Sequence, residues 1–313
     1  MIENLDLICI GEGLIELSSN ESLSYTGQLD KFYGGDTICT AVAAARLGSK
    51  VGFISRVGND FFKDFLIESW QMEDIDTSQI KLVDGFNALY FITRPQNKSK
   101  EFAYYRRKSA ATNLSIDDIS PIYLETASIV YSTGITQSLS LSSAEAVKKA
   151  FRIAKEKGIK VAYDPNYSPL LQEVDEAKES FEEIIDYVDI MFLNAKHDAL
   201  KIFDLETPDK IIKYLNDRGV SMVVVKEGAA GYTVGYNGEI SHVCAITENL
   251  VDSTNSGDAF NGAFLHGISS GLTPFEATRL ASLVVKYQVQ GIGAIKSIPN
   301  KDDVYTEFKN LGR

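Results

Sequence analysis

Short apolar runs and helical segments alternate along most of this chain, and that alternation restricts it to one broad class of fold. Leu5 to Gly11 reads as an apolar strand ending in glycine and Lys50 to Gly58 as a second, with an alanine-rich helix from Asp36 to Leu47 between them. The pattern repeats with a strand at Ser128 to Tyr131, an amphipathic helix at Ser143 to Lys157, a strand at Ile159 to Tyr163 and a helix at Ala177 to Tyr187. It continues through a strand at Ile190 to Leu193, a helix at Pro208 to Arg218 and a strand at Met222 to Lys226. Strands that are apolar throughout and separated by helices predict a mostly parallel sheet covered on both faces. In such sheets ligands bind beyond the carboxyl ends of the strands, where this sequence carries Gly11, Gly134, Asp164 and Lys226.

Two segments break the alternation. Leu14 to Phe32 has short alternating stretches without a helical period, and Ala88 to Arg94 with Phe102 to Arg106 reads as a hairpin turning through Pro95 to Lys100. They predict a small separate sheet. No Pro- or Ser-rich linker sets it apart, so it reads as an insertion that covers the site. A chain of 313 residues, 44% hydrophobic, buries a full core. The expectation is a single domain over 1–313, with a cover from about 14–33 and 88–107.

Composition excludes several roles. A net charge of −12 argues against nucleic-acid binding, which rests on a basic surface. No apolar run is long enough to span a bilayer, and the first residues, Met1 to Asp6, are acidic where a secretory signal is basic, so a soluble cytoplasmic protein with no membrane partner is expected. Cys9, Cys39 and Cys244 are far apart in apolar contexts and read as buried reduced thiols; His197, His242 and His266 are equally scattered, and no protein metal site is expected.

The segment Val251 to Leu265 carries the chemistry. Asn255, Ser256 and Gly257 are small or turn-tolerant residues at the opening of a helix, so their backbone N–H groups are expected to point outward and cradle an anion. Asp258 follows directly. It reads either as an acidic residue favoured at a helix N-terminus by the macrodipole, or as the acceptor of a proton from an attacking hydroxyl in phosphoryl transfer. Other motifs are plainer. Gly11-Glu12-Gly13 has Glu16 where a dinucleotide fingerprint needs its third glycine and reads as a strand exit, and no Gly-x-x-x-x-Gly-Lys-Ser/Thr loop is present. Gly34-Gly35-Asp36 reads as a turn with a capping aspartate, or as glycines that let backbone N–H groups approach a ligand. In Tyr104-Tyr105-Arg106, strand alternation puts Tyr104 and Arg106 on one face, which suits a carboxylate-bearing ligand; the other reading is a charged edge strand that discourages aggregation.

Taken together, these motifs resemble the ribokinase-like (PfkB-type) sugar kinases over essentially the whole chain. Gly34-Gly35-Asp36 with its helix and Ser55 to Asp60 look like the family's N-terminal signature, and Asp252 to Asp258 like its C-terminal one. Within the family, Tyr104-Tyr105-Arg106, Ser109-Ala110, Leu114-Ser115 and Ser132 to Ile135 are most similar to 2-keto-3-deoxygluconate kinases. The resemblance implies a three-layer αβα fold with a mostly parallel central sheet and a small β-sheet lid. It implies ATP and Mg2+ as cofactors, the magnesium arriving through phosphate oxygens and water. Asp258 is then the base, assisted by Asn255, Ser256 and Gly257. Gly34, Tyr90, Tyr104 and Arg106 match positions that contact the sugar, and Asn166, Asn194, Lys226, Gly228 and Gly231 match the nucleotide side together with Gly257. A homodimer through the lid is a further possibility.

Three positions depart from the family pattern. Asn255-Ser256 replaces Gly-Ala; His197 stands where an Asn-x-x-Glu element has its glutamate; and Ser168 stands where 2-keto-3-deoxygluconate kinases carry an arginine. The leading expectation is an ATP-dependent kinase for the primary hydroxyl of a sugar acid, 2-keto-3-deoxygluconate first. The alternatives are a kinase for a neutral sugar such as fructose or ribose, and an idle sugar- or nucleotide-sensing protein on the same fold.

Overall fold

A computed structural model describes residues 4–94, 100–246 and 249–311. The chain runs through β1 (Leu5–Ile10), β2 (Leu14–Ser19), β3 (Asp30–Gly34), α1 (Asp36–Leu47), β4 (Val51–Gly58), α2 (Lys63–Met72), β5 (Ile75–Asp76), β6 (Ile80–Val83), β7 (Leu89–Thr93) and β8 (Glu101–Tyr105). It continues with α3 (Pro121–Leu124), β9 (Ala127–Thr133), α4 (Gly134–Ser138), α5 (Leu141–Glu156), β10 (Lys160–Asp164), α6 (Val174–Glu182), β11 (Ile190–Asn194), α7 (Leu200–Phe203) and α8 (Pro208–Asp217). The remainder is β12 (Met222–Lys226), β13 (Tyr232–Tyr236), β14 (Glu239–Val243), α9 (Ser256–Ser269), α10 (Pro274–Gln288) and α11 (Lys301–Leu311).

The central sheet is ten-stranded, in the order β14-β13-β12-β11-β10-β9-β1-β4-β5, with β6 also on β4. From β12 to β5 every pairing is parallel. The central strands β1, β4, β9, β11 and β12 are largely apolar because they are buried on both faces. Leu7, Cys9, Phe53, Tyr131, Phe192 and Val224 pack with α1, α9 and α10 on one face. Their neighbours Ile8, Ile10, Ile54, Val130, Met191 and Val225 pack with α5 and α8 on the other. This is the expected three-layer α/β architecture. A four-stranded second sheet, β3-β2-β7-β8, is built from the two irregular segments. Its two outer pairings are antiparallel and its central β2–β7 pairing is parallel.

Some local expectations need correction. Ala177 to Tyr187 is not one helix: a capping box between Glu173 and Glu176 starts α6 at Val174, the helix ends at Glu182, and Ile185–Tyr187 forms a separate 3-10 turn. The antiparallel pair β13–β14 at the sheet edge was not anticipated, although Asn237 and Gly238 between the strands both have positive φ, the backbone a two-residue hairpin turn requires. Cys244 is exposed, because it follows β14 at that edge; Cys9 and Cys39 are buried. Of the turn expected at Pro95 to Lys100, Pro95 to Ser99 lie outside the described residues, as do Met1 to Glu3 of the N-terminal reading.

The contact that matters most for the site is between α1 and α9. At Gly262 a Cβ would lie 2.2 Å from the backbone oxygen of Thr40 and 2.8 Å from Ala43 Cβ, so only glycine allows the helices this approach. The Thr40 hydroxyl donates to the Asp258 backbone oxygen at 3.0 Å and fixes the register between them. Gly262→Ala is therefore expected to destabilise the fold by about 1–3 kcal/mol through overpacking, although alanine is the better helix former. Urea denaturation checks this, and an unchanged or raised midpoint would contradict it.

Candidate active site

The strands that end side by side at the centre of the sheet deliver polar groups to one cleft. Thr133, Asp164, Asn194 and Lys226 are the last residues of β9, β10, β11 and β12, and the ladders align Asp164 with Thr133 and Asn194 with Lys226. The N-termini of α1 and α9 close the cleft from one side. Its volume is about 450 Å³, and Asp36, Asn166, Asn194, Lys226, Gly228 and Asn255 to Asp258 line it. From the small sheet and the segment after β8 come Tyr90, Phe102, Tyr104 and Arg106.

The turn before α9 keeps its shape through Asn255, whose φ of 57° is left-handed, a conformation asparagine tolerates better than most residues. The expected anion cradle is only partly realised. The Ser256 N–H donates to the Ser253 oxygen at 3.2 Å because the turn closes on itself there. The Asn255 and Gly257 N–H groups have no acceptor among the described residues and are left for an anion at the positive end of the helix.

Asp258 is 7% exposed. Its carboxylate accepts from Asn166 Nδ2 at 3.1 Å and from Asn255 Nδ2 at 2.9 Å. Burial holds its pKa well above the usual carboxylate range; the Asp36 and Asp164 charges add to this, while Lys226 and the Asn255 amide oppose it. Asp36 itself, read from sequence as a possible cap, does not cap α1. Gly35 occupies the N-cap position and Asp36 is the first helical residue, its carboxylate accepting from the Thr133 hydroxyl at 2.5 Å. Burial pushes the Asp36 carboxyl up as well.

Lys226 sits beneath this pair of carboxylates. Its ammonium pairs with Asp164 at 2.5 Å and reaches Asn261 Oδ1 at 3.3 Å. Burial works against its charge, but Asp164 and Asp258 outweigh that and hold its pKa above the ordinary value. Asp198, which sequence reading passed over, accepts from the backbone N–H groups of Tyr167 at 2.8 Å and Asn194 at 2.6 Å. It thereby ties together the loops that follow β10 and β11, and burial raises its pKa to about 7. Asn194 spends its side-chain oxygen on the N–H groups of Lys196 and His197.

At the other end of the cleft, Tyr90 stacks on Tyr104 with ring centroids 5.5 Å apart, and the Tyr90 hydroxyl donates to the buried Glu16 carboxylate. Gly34 does not line the cleft; it backs Tyr90, whose hydroxyl lies 2.3 Å from where a Cβ at Gly34 would be. Gly231 is also outside the cleft lining, in the turn that follows the 3-10 segment Gly228–Ala230. Arg106 falls just past the end of β8, so the strand alternation proposed for it does not extend that far, yet it lines the cleft with Tyr104. Its side chain is 11% exposed, which removes the charged-edge reading, and it forms an ion pair with the fully buried Glu12. Burial lowers the Arg106 pKa to about 10, so it stays charged at neutral pH. Ser168 lies in an adjoining hollow of about 600 Å³ that shares Tyr104 and Arg106.

Asp36 and Asp258 are buried together, and the Asp36 charge helps to raise Asp258. A carboxyl whose folded pKa is raised keeps its proton to higher pH and ionises only as pH rises through that value. Carbon-13 NMR of labelled aspartate should show Asp258 ionising above the usual range of about 4. Asp36→Asn removes a neighbouring negative charge and should move that titration to lower pH. An unchanged or upward shift would contradict the proposed coupling.

Comparison with known proteins identifies the family. Residues 4–301 match the pfkB family carbohydrate kinase family. A 2-dehydro-3-deoxygluconokinase of Thermoproteus tenax is 30% identical over 313 residues, covering 98% of this chain and 95% of that one. A 5-dehydro-2-deoxygluconokinase of Lacticaseibacillus casei is 28% identical, covering 97% and 95%. The crystal structure of an uncharacterized sugar kinase from Pyrococcus horikoshii in complex with ATP is 28% identical, with a TM-score of 0.80, covering 97% of this chain and 99% of that chain. The ribokinase-like sheet, the helix-start carboxylates and the sequence match lead to one assignment: this chain is a carbohydrate kinase of the PfkB family.

Proposed function

We propose that this sugar kinase transfers a phosphoryl group from ATP to the primary hydroxyl of a sugar acid, with 2-keto-3-deoxygluconate as the first candidate. The observation that carries this reading is the presence of Arg106, Tyr104 and Tyr90 in the same cleft as Asp258. A guanidinium beside a phenol hydroxyl recognises a carboxylate, the hydroxyl being that of Tyr104 since Tyr90 gives its proton to Glu16, and Asp258 stands where the far end of the acceptor meets the anion turn. The Thermoproteus tenax relative supports the substrate class. The Pyrococcus horikoshii structure in complex with ATP supports the donor.

In this reading Asp258 accepts the hydroxyl proton as the acceptor oxygen attacks. Its raised pKa makes the ionised carboxylate a stronger proton acceptor than an ordinary aspartate. The Asn255 and Gly257 N–H groups face the charge that builds on the phosphoryl oxygens. Asn166 orients the base, and Gly228 leaves open space for the donor. Magnesium would supply charge neutralisation on the phosphates. It would be carried in by the phosphate oxygens of the donor. The small sheet acts as the lid, and its edge strand β8, with Tyr105 exposed, offers a surface for a homodimer. Its supply of ATP makes the cytoplasm the compartment we infer for it.

A neutral sugar remains the second reading, favoured by two observations. Glu12 already pairs with Arg106, and Ser168 supplies no second cation.

Release of ADP measured over a panel of sugars and sugar acids separates the readings. The wild-type enzyme is expected to have higher kcat/KM on 2-keto-3-deoxygluconate than on fructose. Arg106→Gln, which leaves Glu12 a donor, should lower kcat/KM on the acid about ten- to a hundredfold, the worth of a charge-assisted contact of about 1.5–3 kcal/mol, and lower it far less on fructose. Preference for fructose, or equal loss on both, would overturn the sugar-acid reading. Asp258→Asn should lower kcat by about 10²–10⁴ with sugar binding retained; wild-type turnover in that variant would remove Asp258 from the role of base.

A further inference from the structure

Glu12, like Glu16, is a buried carboxylate near the acceptor end of the cleft that the proposed chemistry leaves unused. It follows β1 on the loop into β2, is wholly buried, and does not line the cleft. Its one ion pair is with Arg106, and no hydrogen-bond donor other than that guanidinium reaches its two oxygens among the described residues. Arg106 stands in front of it, facing the cleft, with Cζ 5.9 Å from the Tyr104 ring centroid and Nε without an acceptor. A buried carboxylate with so few donors is costly to keep. The effect of Glu12 that reaches the cleft is its effect on the charge of Arg106.

We propose that Glu12 sets the charge preference of the acceptor site: as the internal counter-anion behind Arg106, it cancels much of the positive charge that the cleft presents to a substrate. The proposal rests on the reading that Tyr90, Tyr104 and Arg106 hold the acceptor. With Glu12 in place the pair carries less positive charge than a lone guanidinium, so its preference for a carboxylate over a hydroxyl or carbonyl oxygen is reduced but not removed. Without the Glu12 charge the same guanidinium is a net cation in a buried setting, where charge counts for more than in water. Selectivity is the difference between two affinities, so a repulsive charge behind the binding group shifts it as surely as an attractive one in front. Glu12 is thus a specificity-determining residue that acts through Arg106.

The test is Glu12→Gln, which keeps the shape and an oxygen that accepts from Arg106 while removing the charge. KM and kcat are measured on 2-keto-3-deoxygluconate and on fructose, with thermal denaturation to confirm folding. The expected result is that KM for the acid falls about tenfold relative to KM for the neutral sugar, with kcat on each little changed. Equal changes on both substrates would show that Glu12 is only a strut for Arg106, and a selective loss on the acid would show that it acts by orienting the guanidinium; either overturns the proposal. If the glutamine variant does not fold, Glu12→Asp, which draws the charge back by one methylene, should move the preference toward the acid by a smaller factor, and no movement would overturn the proposal. The sugar-acid reading stands or falls on which substrate the wild-type enzyme prefers. The Glu12 proposal stands or falls on the change in that preference, so the two fail separately.

Discussion

The close approach of α1 and α9 is the contact on which the rest of the site depends. Gly262 leaves room for the Thr40 backbone oxygen, and the Thr40 hydroxyl holds the backbone of Asp258. With the helices locked in this register, their N-termini meet over the carboxyl ends of β9 and β10. That brings two carboxylates, Asp36 and Asp258, into one buried space beside the anion turn.

Concentrating buried carboxylates is unfavourable unless the surroundings compensate, and here the compensation is uneven. Asp164 is matched by Lys226 and Asn261, and Asp36 by the Thr133 hydroxyl. Asp258 has only amide donors from Asn166 and Asn255. The carboxylate paired with a cation is therefore Asp164, while Asp258, the proposed base, has only neutral donors. Perturbed acidity gathers where the chemistry is expected. Arg106 shows the opposite economy: its charge is already answered by Glu12 before any substrate arrives.

Much of the frame was legible in the sequence because parallel strands and their covering helices leave periodic traces. Asp36 to Leu47 and Met222 to Lys226 were read with the same ends that the structure shows. The β13–β14 hairpin was missed although Asn237-Gly238 carries a strong local turn signal. Most of the residues expected at the site do line one cleft, since motifs at strand ends and helix starts converge by topology. What local pattern could not give was pairing across distance. Glu12 reads as a strand exit and Asp36 as a cap until the fold sets one against Arg106 and the other beside Asp258. Asp198, one residue beyond His197, is recognisable only from the two loops it joins.

In the proposed reaction a hydroxyl gives its proton to Asp258 as it takes a phosphoryl group. Phosphorus and carbon NMR of the product formed from ATP and 2-keto-3-deoxygluconate tests this most directly. The account predicts one sugar phosphate, substituted at the terminal primary hydroxyl, formed with one ADP per sugar consumed. A phosphate on another oxygen, or ADP released with the sugar unchanged, would contradict it.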